Sequence, residues 1–264
     1  MTKRIRVSSS IGNFKEKLYE KYPDHEVWNY GSLLEPTTFF GLYHYGDYLA
    51  FLIHRGRRTV FWAGSDILNL QRRPWMWWLK LIPAMHLCEN WVEYTALENI
   101  GIGSIISPAI FDPTPIPIAF NPDKPRAVYI NIHKGREDEY GLPMFLDAAQ
   151  EVPTVQFHIY GIYREDWGYA VTKNVTFHGK VSNVAFNRDI QNYHGAVRLN
   201  TFDGFAETVA KSILMGQYPI TRIYYPEITC VSTLDALVEA IKELELKDTP
   251  NPAREFWKQQ LCAL

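Results

Sequence analysis

Asp203 and Gly204 stand directly ahead of a helical run from Phe205 to Met215 that stops at Gly216. The first turn of a helix presents unpaired N–H groups and the positive end of its dipole, so it suits an anion such as a phosphate. Gly204 lets backbone approach a ligand there, with Phe205, Ala206, Glu207 and Thr208 forming the surrounding turn. The Asp203 carboxylate can bind hydroxyls or support a developing positive charge. Eight residues on, Lys211 reads plainly as a solvated surface lysine; it can also pair with Asp203, or with Glu207 at i−4, about as readily as it contacts a ligand. A second basic site is Lys134-Gly-Arg-Glu-Asp-Glu139, where Arg136, with Lys134, lies just beyond a strand end as a cation for phosphate. Asp66 closes Gly64-Ser65-Asp66 after another apolar run and offers a second carboxylate.

Other chemistries are poorly served. The eight histidines never form a close pair at metal-ligand spacing, so no protein-held metal is expected. Three cysteines, Cys88, Cys230 and Cys262, are odd in number and far apart, and read as reduced thiols. Lys and Arg number 27 against 29 Asp and Glu, which leaves no bulk positive field to gather nucleic acid. No run approaches the ~20 apolar residues of a membrane span, and residues 1–20 contain no apolar secretion signal. Cytoplasmic residence is the expectation. The aromatic fraction of 14%, with 8 Trp and 16 Tyr, supplies flat faces suited to sugar rings and bases as well as to cores.

The elements that must position these residues alternate. Up to about Phe120 the chain shows short apolar runs between turns: His25 to Tyr30, Tyr48 to Ile53, Arg58 to Ala63, Ala84 to Cys88 and Ser104 to Ile110. A helix is expected from Trp91 to Asn99, stopping at Gly101. Five prolines between Asp112 and Pro125 forbid a regular element and mark a domain boundary. The alternation then restarts, with strands expected at 126–132, 154–160, 175–178, 196–200 and 218–221. Helices are expected at 142–150, at 205–215, and at 232–246 with Ser232 as N-cap. Alternating strands and helices signal parallel α/β sheets, whose ligands sit outside the carboxyl ends of the strands.

The segment Val197 to Ile220 resembles the donor-binding signature of the retaining family 4 group of GT-B glycosyltransferases, with Asp203, Gly204, Phe205, Gly216, Pro219 and Ile220 at matching spacings. Val60-Phe-Trp-Ala-Gly-Ser-Asp66 is similar to the family's strand and Gly-Ser-Asp loop, Phe177-His-Gly-Lys-Val181 to its strand end, and Tyr129 to Arg136 to the first strand and basic loop of its donor domain. Where the family carries a second acidic residue this chain has Lys211; Ala206 replaces a glycine, and Ala63 a common histidine.

The resemblance implies an α/β, GT-B-like fold of two doubly wound, Rossmann-like parallel-sheet domains facing a cleft, the first reduced. Residues 1–118 would form the acceptor-side domain, 119–250 the donor domain, and 251–264 a terminal helix crossing back. It implies transfer of a sugar from a nucleotide-sugar donor to a glycan or lipid-linked acceptor, with retention and without a metal or other cofactor. Asp203 and Asp66 would be catalytic. Arg136, Lys134, Gly179, Lys180, Val181, Gly204, Phe205, Ala206, Glu207, Thr208 and Lys211 would bind the donor, and Gly64 and Ser65 would lie on the acceptor side. A non-catalytic glycan- or partner-binding protein and a nucleotide-sugar epimerase are the alternatives. Within 72–82, three tryptophans beside Arg72, Arg73 and Lys80 suit either packing on the protein itself or peripheral contact with the inner membrane face.

Overall fold

A computed structural model describes residues 2–112 and 115–262. The Pro113-Thr114 part of the expected linker and the side chains of residues 74–76 and 262, which include Trp75 and Cys262, lie outside the described part. The chain forms two compact units, one of Met1–Thr114 with Phe202–Phe205, the other of Pro115–Thr201 with Ala206–Ala263.

The first unit runs β1 (Lys3–Val7), α1 (Lys15–Lys21), β2 (His25–Val27), β3 (Thr37–Phe40), α2 (Tyr45–Ile53), β4 (Arg58–Phe61), α3 (Ser65–Gln71), β5 (Met85–Cys88), α4 (Trp91–Glu98) and β6 (Ile105–Ile106). Its strands form one parallel sheet in the order β2-β1-β3-β4-β5-β6. Both faces of a parallel sheet must be covered, and successive side chains alternate between them. Phe39, Val60 and Trp62 accordingly join Phe51, Ile67 and Leu97 on one face. Phe40 and Phe61 join Ile5, Tyr43 and Phe111 on the other.

The run Tyr48 to Ile53 is helical, as part of α2. Asp47 accepts from the His44 amide at 3.1 Å and so starts the helix, and Tyr48 and Phe51 are buried at helical spacing. Only Ile105–Ile106 of the run Ser104 to Ile110 is strand. In the tryptophan-rich stretch Leu79 is buried and Trp78 packs against the core, while Trp77 and Leu81 are exposed.

The second unit runs β7 (Ala127–Asn131), α5 (Leu142–Glu151), β8 (Gln156–Tyr160), β9 (Val175–Gly179), α6 (Asn183–Asp189), β10 (Gly195–Arg198), α7 (Glu207–Leu214), β11 (Ile220–Thr221), β12 (Thr229–Cys230), α8 (Leu234–Glu243) and α9 (Arg254–Cys262). Its parallel sheet has the order β12-β11-β10-β7-β8-β9, six strands where five are legible in sequence. The extra strand, β12, is two exposed residues without an apolar run to announce it. Val128, Ile130, Phe157, Ile159 and Val197 pack against Phe145 of α5 and Leu237 and Ile241 of α8. Thr233, not Ser232, caps α8, accepting from the Ala236 amide at 3.3 Å. The terminal helix α9 packs on α7, with Arg254 Nε donating to the Leu214 carbonyl at 2.7 Å.

Strand order reverses between β7 and β10: from β7 the chain proceeds through β8 and β9 on one side, and then returns to place β10, β11 and β12 on the other. In open α/β sheets a ligand crevice opens at such a reversal, outside the carboxyl ends of the strands. The loops following β7 and β10 carry Lys134 and Arg136, and Asp203 and Gly204.

Candidate functional site

Beyond the carboxyl ends of β7, β8 and β9 lies a hollow of about 430 Å³ within the second unit, whose walls include Asn131, Lys134, Tyr160, Gly161, Lys180 and Phe186. Its floor depends on Gly161, which has φ +91° and a backbone so close to the Ile132 carbonyl oxygen that a Cβ would stand 1.9 Å from it. Two exposed ammonium groups and an aromatic wall make the hollow a place for a flat, anionic ligand. The Lys134 Nζ lies 2.7 Å from Asp166 Oδ1. At 65% exposure for the lysine that pair is weak, and a phosphate can displace it. Gly179 and Val181 flank Lys180, and Val181 also lines the hollow.

Arg136 stands apart from those two lysines. Its guanidinium is bound by Glu139 and lies 5.4 Å from the Tyr140 ring, and it lines a neighbouring hollow with Glu137, Asp138 and Asp166. Lys134 and Lys180 line the hollow beyond β7, β8 and β9, and Arg136 lines its neighbour. Arg198 packs 4.2 Å from the Tyr140 ring and donates to the Asn131 carbonyl at 3.3 Å.

The helix after β10 begins at Glu207, two residues later than the sequence suggests, with Ala206 at its cap position. Lys211 is buried, 3.4 Å from Glu207 Oε2 and 3.0 Å from Asn187 Oδ1. The structure displays the pair with Glu207, on a buried lysine where the sequence suggests a solvated one. The Thr208 carbonyl accepts from the Tyr129 hydroxyl at 3.2 Å, which ties α7 to the sheet beneath it.

The remaining candidates group within the first unit. Asp66, on the first turn of α3, is 0% exposed. Its oxygens accept from the amides of Leu42, Ala63 and Ile67 at 3.0 to 3.1 Å. It therefore joins the loops after β3 and β4. Burial pushes its carboxyl up to about 7, against the pull of those amide donors. Gly64 and the exposed Ser65 precede it, and the Tyr43 hydroxyl donates to the Ala63 carbonyl at 2.9 Å.

Asp203 is half-buried, with Oδ1 accepting from the Gly204 amide at 3.1 Å. A Cβ on Gly204 would meet Glu89 Oε2 at 2.1 Å, so a carboxylate of the protein, rather than a ligand, occupies the space this glycine leaves. The adjoining Phe205 amide donates to the same Glu89 oxygen at 2.9 Å. Glu89, Asn90 and Glu93 around this loop carry no sequence motif. Their one local signal is Asn90, three residues ahead of Glu93, at the head of a helix. Among the described residues no three His, Cys, Asp or Glu side chains converge as metal ligands, and no helix is long and apolar enough to cross a membrane.

No protein-family pattern matches the chain, and no curated protein matches it in sequence. Solved structures do. HepE from Anabaena, in complex with UDP and glucose, is similar with a TM-score of 0.68 at 10% identity, over 99% of this chain and 96% of that one. The fold is GT-B. The lipopolysaccharide outer core galactosyltransferase WaaB is similar with a TM-score of 0.61 at 12% identity, over 100% of this chain and 96% of that one. TarM from S. aureus, in complex with UDP among other ligands, has a TM-score of 0.56 at 10% identity over 85% of this chain, which spans 51% of TarM.

Proposed function

We propose that the protein is a glycosyltransferase that takes a sugar from a nucleotide-sugar donor bound in the hollow beyond β7, β8 and β9. The observation that carries this reading is the placement of Lys134 and Lys180, two exposed cations lining one hollow with Phe186, at the strand ends next to the β7/β10 reversal of a GT-B fold. The ammonium groups would neutralise the diphosphate as it leaves, which lowers the barrier because that charge grows in the transition state. The donor sugar would become oxocarbenium-like, and Asp203 is the carboxylate we assign to support it. Retention of configuration, and a glycan or lipid-linked acceptor, belong to the same proposal and rest on the resemblance around Asp203. UDP bound to the structurally similar HepE and TarM makes a uridine nucleotide the first donor to try.

The test is a thermal-shift screen with UDP, GDP, ADP, CMP and dTDP and their sugar conjugates. A ligand that binds only the folded protein at 100 times its Kd stabilises by about 2.7 kcal/mol. A shift with one nucleotide that is lost in Lys180→Ala and reduced in Lys134→Ala supports the assignment, whereas no shift with any nucleotide refutes it. The Lys211–Glu207 pair favours one second reading: it stands where the resemblance expects a carboxylate, and so suits a protein that binds its nucleotide or glycan without turnover. Binding with no product from any acceptor would select that reading.

A further inference from the structure

Resting on the transferase reading, we propose that Glu89 and Asn90, just past the carboxyl end of β5, are positioning residues that clamp the Asp203-Gly204-Phe205 loop from both sides of the glycine. Asn90 Nδ2 donates to the Asp203 carbonyl at 2.7 Å, ahead of Gly204. Glu89 Oε2 accepts from the Phe205 amide at 2.9 Å, behind it. The peptide units flanking Gly204 are thereby fixed to one rigid strand end, and with them the origin of the Asp203 side chain. A residue at position 204 with a side chain would strike Glu89 where it stands, so the place of the carboxylate depends on the glycine.

The clamp is itself braced. Asn90 Oδ1 accepts from the amides of Val92 and Glu93 at 3.0 Å, so the side chain that reaches Asp203 also caps α4. The Glu89 amide donates to Glu93 Oε2 at 2.6 Å, and Glu89 Oε1 accepts from the Ala109 amide at 3.4 Å. Glu93 is 0% exposed, and among the described residues its Oε1 has no hydrogen-bond partner. Burial, and next the charge of Glu89, hold the Glu93 carboxyl well above its ordinary range. Such a set of buried carboxylates is costly for a fold to keep, and its contacts converge on the segment bearing the proposed charge-supporting Asp203. A misplacement of about 1 Å at a reacting centre can cost about 100-fold in rate, which is the duty a clamp would serve.

Asn90→Ser separates this duty from folding, because serine caps a helix as well as asparagine but is too short to reach Asp203. The variant should melt close to the wild type, show faster hydrogen exchange at the Gly204 and Phe205 amides, and lose about 10- to 100-fold in kcat with donor KM within about twofold. Unchanged kcat in Asn90→Ser would overturn the positioning role. The steric half is read without activity: Gly204→Ala should lower stability less in a Glu89→Ala background than in the wild type. Equal losses in the two backgrounds would overturn the clamp. A wild-type protein that transfers no sugar but shows this coupling would refute the transferase reading and leave the clamp standing.

Discussion

Asp66 is the residue whose sequence and structural readings diverge most, and the divergence is measurable. Its carboxyl, ordinarily near 3.8, is raised to about 7 by burial, so between those values the folded state keeps a proton that the unfolded state has released. The contribution of Asp66 to stability then falls as pH rises from about 4 to about 7. Asp66→Asn should flatten that slope in urea unfolding curves recorded across the range, and a variant with the wild-type slope would contradict the assignment. Glu93, raised for the same first cause, adds to the slope with the same sign. Gly161 offers a second test at this scale. Any side chain there meets the Ile132 carbonyl oxygen and demands a left-handed backbone, so Gly161→Ala should cost both stability and nucleotide affinity. Lys134, Lys180 and Asp203 each lie on a short motif beyond a strand end, which is why the sequence singles them out. It does not single out Glu89, because the amide that residue holds is 116 positions away and no local spacing announces the contact.

At the scale of elements the sequence was clearest where apolar residues recur with one period over a long stretch. The expected helix at 232–246 corresponds to α8 and the short helix that follows it, and the run at 126–132 to β7, the central strand flanking the reversal. It was least clear in the first unit, where Tyr48 to Ile53 is apolar nearly throughout and its period cannot distinguish helix from strand. There the decision lies with Asp47, whose buried carboxylate accepts from the amides of Tyr43 and His44 and the hydroxyl of Ser8. The ledger of α8 gives a prediction at this scale. Leu237 is wholly buried against Phe145 and its neighbours, so Leu237→Ala should cost about 2–5 kcal/mol in chemical denaturation. Nucleotide affinity of the folded fraction should stay unchanged, since Leu237 lines no part of the hollow.

For the whole molecule, the candidate groups fall unequally on the two units. Lys134, Lys180 and the hollow they line belong to the second unit, and the carboxylates Asp66, Glu89, Glu93 and Asp203 to the first. Hydrogen exchange with and without saturating nucleotide should therefore show protection at residues 131–134, 161 and 179–183. Strands β1, β3 and β4 should exchange as before. Protection confined to the first unit would place the donor elsewhere.

The first unit is completed by four residues, Phe202–Phe205, that lie about 90 positions after the rest of it. During synthesis the sheet of that unit can form long before those residues leave the ribosome, a wait of roughly 5–18 s at typical elongation rates. Through that interval Glu89 has no Phe205 amide to receive, and the pocket around Gly204 stands open to water. A nascent chain stalled before residue 202 should thus carry a first unit that is compact but unfinished, and release from the stall should be the event that seals its acidic centre.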